Sequence, residues 1–346
     1  MKPKLVVLWI GICLSSCAHA PQPEAAPPDS ASVLELPGGD GGIGFDDLRY
    51  SPTLGRVLVP AGRTGNLDLV DPATGRVTSV PGFGASTSFS GGHGQGTTSV
   101  DEGAGLLFAI DRDSKRLAIV DPGRAAIVST ADLGGDPDYV RYVGTTHELW
   151  VTEPEAEQIE VFALASGPKP AATRSGQIAL RGGPESLVVD GRRGRAYTHL
   201  WDGATVAIDL RQRTIVGQWP NGCRGSRGIA LDEERGFLFV GCAEGSATVL
   251  DVTHDGRELS SAPTGTGVDI IDYDPQLGHL YVPAARSATL TILGVDAQGE
   301  LSVLGTLPAA EGSHCATTAG KGRVYVGDPK NGRLLVLEDR YPPSTL

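Results

Sequence analysis

The sequence predicts an all-β fold, a seven-bladed β-propeller whose last blade is closed by the N-terminal strand, and three observations carry that prediction. A short apolar phrase with a bulky centre recurs seven times: Val57-Leu58-Val59, Leu107-Phe108-Ala109, Leu149-Trp150-Val151, Ala196-Tyr197-Thr198, Leu238-Phe239-Val240, Leu280-Tyr281-Val282 and Val324-Tyr325-Val326. The centres lie 50, 42, 47, 42, 42 and 44 residues apart. Periods of this length mark one supersecondary unit laid down repeatedly, each copy unable to bury its own face alone. Second, 48 Gly and 24 Pro beside 40% hydrophobic residues suit many short strands joined by tight turns. Third, no linker interrupts the series, so residues 32–343 read as one domain although 346 residues could hold two.

The elements follow in chain order. Residues 1–16 carry Lys2 and Lys4, the apolar run from Leu5 to Leu14, and then small residues, the layout of an export leader too short to span a membrane as a helix. The run ends in Leu14-Ser15-Ser16-Cys17. That ending resembles the lipobox of bacterial lipoproteins, and the resemblance implies cleavage before Cys17 and acylation of its thiol and amine. An ordinary signal peptide cut near Ala18 or Ala20 is the alternative. Ala18 rather than Asp after the Cys implies, by the same resemblance, the outer membrane. Residues 17–31 then form a Pro/Ala-rich tether with a reach on the order of 40 Å at about 3.1 Å per residue. The expected location is the periplasmic side of the bacterial envelope, with membrane contact through the lipid alone.

Within each repeat, a first strand follows a Gly- or Pro-bearing loop, the aromatic-centred strand comes second, and a third strand ends at Asp71, Asp121, Ala163, Asp209, Asp251, Gly294 or Glu338. A fourth returns, giving the four antiparallel strands of a propeller blade. The last repeat stops short, because Pro342-Pro343 cannot continue a ladder. Val33-Leu34-Glu35-Leu36 is a strand without a repeat of its own. Pairing the two closes the ring and removes a bare sheet edge.

The repeats resemble the YVTN-type β-propellers of bacterial surface and periplasmic proteins. Tyr281-Val282 and Tyr325-Val326 match the phrase, and Gly75-Arg76 and Gly256-Arg257 match its turn. That resemblance implies a binding platform, while some relatives of similar shape are lactonases or streptogramin lyases; propeller shape alone does not settle function.

In a propeller, loops entering each innermost strand and loops leaving each second strand share the face around the central channel. The first set supplies Asp46, Gln95, Asp138, Glu185, Arg227, Asp269 and His314, flanked by Asp47 and His93; the second supplies Arg63, Asp111, Arg112, Glu153, His199, Trp201 and Asp328. The expected ligand site comprises Asp46, Asp47, His93, Gln95, Asp138, Glu185, His199, Trp201, Arg227, Asp269 and His314, with Trp201 as a flat apolar contact. His93, His199 and His314 beside carboxylates are candidate ligands for a divalent metal, whereas His147, His254 and His279 are expected in solvent-exposed turns on the opposite face. Were the protein an enzyme, Glu185 would serve as base, Arg227 as anion clamp and His314 as acid or base. Gly91-Gly92-His93-Gly94-Gln95-Gly96 precedes a strand rather than a helix, so it is no phosphate cradle; the segment from Gly82 to Gly96 is expected to be a long flexible insertion at the mouth.

Cys223 and Cys242 fall at the same end of the fifth blade in a chain addressed to an oxidising compartment, and a disulfide between them is expected. Cys315 is left over. The net charge of −12, or −14 once the two leader lysines are gone, opposes nucleic acid binding. The sequence thus reads as a monomeric, envelope-tethered binding module for a small polar ligand, a metal or an envelope protein. A lactonase-like hydrolase or lyase and a scaffold in an envelope complex are the alternatives.

Overall fold

Seven four-stranded antiparallel sheets make up the computed structural model, which describes residues 1, 31–165, 167 and 169–345. The leader, Cys17 and all but the last residue of the tether lie outside the described residues. Blades 1 to 6 occupy residues 49–85, 97–132, 140–179, 188–220, 226–263 and 272–308, and in each the strands lie side by side in chain order. Blade 7 takes Ala316–Thr318, Arg323–Asp328 and Arg333–Glu338, with Ser32–Glu35 as its outermost strand. Every innermost strand touches those of both neighbours, and the innermost strand of blade 7 touches that of blade 1, so the ring is closed.

All seven apolar phrases are second strands, Arg56–Pro60 in blade 1 through Arg323–Asp328 in blade 7. Their central residues are at most 2% exposed. Strand alternation puts the flanking apolar residues against one neighbouring blade and the central one against the other, so each phrase contributes to two interblade cores. A side chain of this size contributes about 1.5–3 kcal/mol when fully buried.

The clasp forms in antiparallel register, Ser32 opposite Val336 and Glu35 opposite Arg333. It differs from the other blades in one respect. In blades 1 to 6 the pairing of third and fourth strands carries a register shift, which sharpens the local twist; the clasp pairs without one. A strand borrowed from the other end of the chain is only four residues long, too short to need the extra coil.

Cys223 and Cys242 are joined in a disulfide with Cα atoms 5.3 Å apart, and Cys315 is a buried free thiol. One expectation about the far face fails. His147 and His254 are exposed, but His279 is fully buried, with Nδ1 2.7 Å from Asp339 Oδ2 and Nε2 3.1 Å from Pro342 O. It anchors the C-terminal segment against blade 6, a long-range contact that turn chemistry around Gly278 does not reveal.

Candidate functional site at the channel mouth

Asp46 enters ahead of blade 1, Asp138 ahead of blade 3, Glu185 ahead of blade 4 and Asp269 ahead of blade 6, and the ring turns all four carboxylates toward one end of the channel. Four basic side chains interleave with them. His93 Nδ1 lies 2.9 Å from Asp46 Oδ2, and its Nε2 lies 3.9 Å from Asp269 Oδ2. Arg112 reaches Asp46 at 3.4 Å and also pairs with Asp138. Arg227 pairs with Glu185 at 3.2 Å, and the Trp201 indole N–H donates to the same carboxylate. His314 stands 5.2 Å from His93 between ring centroids. A cavity of about 660 Å³ opens here, lined by Phe89, His93, Arg227, Asp269, His314 and Lys330 among others.

His93 gets there because its loop bends over the mouth. The fourth strand of blade 1 runs on to Ala85, so the insertion is residues 86–96 rather than one beginning at Gly82. Gly92, at φ +65°, packs so closely on Gly44 that a Cβ at position 44 would stand 2.2 Å from the Gly92 carbonyl oxygen. The loop is also tied internally: Gln95 Oε1 accepts from the Ser90 N–H at 3.1 Å, and Gln95 Nε2 donates to Ser88 O at 3.3 Å. Gln95 is therefore spent on its own loop and does not line the cavity.

The carboxylates are not alike. Burial alone would push Asp46 up, but His93, and behind it Arg112, outweigh burial and hold this carboxyl below its usual range. His93 is correspondingly raised to about 10 by Asp46, against the opposing pull of burial. Burial wins at Asp138, which stays well above the ordinary aspartate range despite Arg112, and at Asp269. At Glu185 burial again outweighs Arg227, and the carboxyl is pushed up to about 7. Clustered groups with divergent proton affinities in a cleft are a signature of functional sites.

Besides Gln95, two more predicted site residues belong elsewhere. Asp47 points the opposite way from Asp46, into the channel interior. There it holds Arg141 bidentately, with Nη1 2.6 Å from Oδ2 and Nη2 3.0 Å from Oδ1, and accepts from Ser99 Oγ at 2.5 Å. Arg141 Nε donates to Leu187 O at 2.9 Å, and the guanidinium lies 4.9 Å from the Tyr139 ring centroid. His199 is fully buried in the second strand of blade 4, with Nδ1 2.9 Å from Thr205 Oγ1, and burial depresses it to about 3. It is a neutral interior histidine. Among the described residues the group spaced to hold a metal is His93, Asp269 and His314, so Asp269 takes the place expected of His199.

Trp201 does sit at the rim, 37% exposed, with the Arg227 guanidinium 6.0 Å from its ring centroid. Arg63, Asp111, Glu153 and Asp328 turn back to satisfy loop backbone or neighbouring side chains. Arg112 and Arg141 are the polar residues that the loop-position rule undervalued. Arg112 stood among the second-strand exits, whereas Arg141 was signalled only by a charge inside an innermost strand, Val140–Val143.

No family model matches the sequence, and no curated protein matches it. Solved structures do resemble its fold. A chain of a mitotic checkpoint complex crystal structure is 13% identical with a TM-score of 0.72, over 97% of this chain and 99% of that one. A chain of Kuenenia stuttgartiensis hydrazine synthase is 13% identical with a TM-score of 0.71, over 88% and 97%. The U3-55K structure is 12% identical with a TM-score of 0.72, over 90% and 100%. At such identities the likeness is one of architecture, and it bears out the propeller.

Proposed function

We propose that this protein is a binding module of the bacterial envelope, a YVTN-type propeller tethered through lipid on Cys17, whose channel mouth captures a small polar molecule carrying both signs of charge. One observation carries the reading. His93, Arg227, Asp269 and His314 line one solvent-reached cavity, and Asp46, Arg112, Asp138 and Glu185 pair with them or with one another behind it. A ligand with one cationic and one anionic group can exchange with these internal pairs without leaving a buried charge uncompensated. Trp201 offers a flat face at the rim.

Calorimetry against a panel of free amino acids and dipeptides tests this. Binding that is lost in both Arg227→Ala and Asp46→Asn supports it. No binding across the panel, with an envelope protein retained instead on a column of the purified chain, would favour the scaffold reading. For the tether, Cys17→Ser should abolish incorporation of radiolabelled palmitate and release the protein to the soluble periplasmic fraction.

A catalytic reading is favoured by the position of Glu185. A carboxyl raised to about 7 beside Arg227 is suited to proton transfer near neutral pH. Lactone turnover abolished by Glu185→Gln would establish it.

A further inference from the structure

We propose that His93, Asp269 and His314, with the carbonyl oxygen of Phe45, form a binding centre for one divalent first-row transition-metal ion, and that this ion anchors the ligand in the channel mouth. The inference rests on the reading of the mouth as the functional site and specifies its chemistry.

Hydrogen-bond accounting at His314 is the first support. Its Nδ1 lies 2.7 Å from Gly312 O and its Nε2 lies 2.9 Å from Phe45 O. Both partners only accept, and a neutral imidazole has one N–H. A neutral ring thus leaves one nitrogen lone pair facing a carbonyl oxygen, a contact that is relieved either by a second proton or by a bound cation. With the proton on Nδ1, the cation belongs between Nε2 and Phe45 O. Two adjacent ligands about 2.0–2.1 Å from an ion at right angles lie roughly 2.9 Å apart, so the gap has the length of a coordination-polyhedron edge.

His93 and Asp269 complete the set. His93 Nε2 and Asp269 Oδ2 are 3.9 Å apart, too far for a hydrogen bond and within the span of two ligands on one ion. The candidate atoms of His93, Asp269 and His314 all lie within 4.8 Å of one another, so small side-chain rotations bring them to bonding distance. Each histidine already has its outer nitrogen engaged, His93 by Asp46 and His314 by Gly312 O. Such outer partners fix the ring orientation of metal-bound histidines. Two imidazoles, one carboxylate and one carbonyl select a borderline ion such as Zn²⁺ or Co²⁺ over Ca²⁺ and Mg²⁺, which need all-oxygen shells. The ligands come from the loop before blade 2 and the inner entries of blades 6 and 7, so the ion would bridge the mouth.

The test uses Zn²⁺ and Co²⁺ alone, titrated into the purified protein after stripping with EDTA. One equivalent should bind, with the visible absorption bands of protein-bound Co²⁺, and Ca²⁺ in large excess should not compete. His93→Ala and His314→Ala should each weaken binding by at least about 100-fold, and Asp46→Asn by about 10–100-fold, whereas His254→Ala should change nothing. X-ray absorption on the Zn²⁺-loaded wild type tests the ligand set without any variant. Two imidazoles with oxygen ligands are expected; a sulfur ligand or an all-oxygen shell overturns the assignment. It is equally overturned if no stoichiometric metal binds, or if affinity survives both histidine substitutions in folded protein. Capture of amino acids by protein without Zn²⁺ affinity would remove the metal centre and leave the mouth reading intact. Zn²⁺ binding without any organic ligand would do the reverse.

Discussion

Asp46 and Asp47 are consecutive residues with opposite fates, and the contrast separates what holds this propeller together from what it offers to a ligand. Asp47 lies in the channel interior, bidentate to Arg141 and bonded to Ser99. Arg141 in turn donates to the carbonyls of Leu187 and Val140, so four of its five N–H groups are engaged. Asp46 looks the other way, into the mouth, sharing one oxygen between His93 and Arg112. Around it the side chains of His93, Arg112, Arg227 and Asp269 are each a fifth to a third exposed, whereas Asp47 and Arg141 are almost wholly buried, and burial pushes up the carboxyls of Asp138, Glu185 and Asp269. A densely bonded buried pair favours one packing, while a more open cluster keeps capacity for something else.

The comparison can be broken most directly at Arg141. Removing one partner of a buried pair strands the other charge and costs about 3–5 kcal/mol. Arg141→Ala and Asp47→Ala should each lower the unfolding free energy by that amount in urea titrations, and Asp47→Leu combined with Arg141→Met should recover much of it. His93→Ala at the mouth should cost less, since its ring is a third exposed and Arg112 still reaches Asp46 once the imidazole is gone. Equal costs at the two positions would erase the distinction drawn between them.

A smaller effect links the two regions. The Cys223–Cys242 disulfide spans 19 residues and holds the loop ahead of blade 5, next to Arg227. Closing a loop of this length stabilises by about 2–4 kcal/mol. Cys223→Ser with Cys242→Ser should lower the unfolding free energy by that amount, and reduction of the wild type should reproduce the loss. If the loop also orients Arg227, ligand affinity at the mouth will fall in parallel; unchanged affinity would confine the disulfide to stability.

These regions also mark how far the sequence could be read. The ring, its clasp and the disulfide were legible because each follows from periodicity: the repeat locates every strand, and equivalent ends of one blade bring Cys223 and Cys242 together. Gathering Asp46, Asp138, Glu185, Arg227, Asp269 and His314 at one end followed from the same rule. Direction along an extended segment did not. A register offset of one residue sends Asp47 inward, and nothing local distinguishes it from Asp46. His199 shares a second-strand end with mouth residues, yet it faces Thr205 inside its own blade. His279 depends on where the C-terminal tail lands, and Gln95 on the internal bonds of its loop, neither of which a repeat encodes.

The smallest expected effect sharpens the comparison from the mouth side. Burial disfavours the charged form of Glu185 and pushes it up to about 7 in the folded protein, above the ordinary 4.5. Between roughly pH 4.5 and 7 the native state therefore holds a proton that the unfolded chain has released, and stability declines as pH rises through that window. Glu185→Gln keeps an oxygen to accept from Trp201 and Arg227 but has nothing to titrate, so its profile should lack that decline. A shift of this size corresponds to at most about 3 kcal/mol; with Glu185 17% exposed, solvent screening reduces the expected gain at pH 8 to about 1–2 kcal/mol. The two profiles should converge below pH 4.5. If they run parallel across the whole range, Glu185 is ionised in the native state at ordinary carboxylate pH, and its pair with Arg227 would be a structural bridge of the same kind as Asp47 with Arg141.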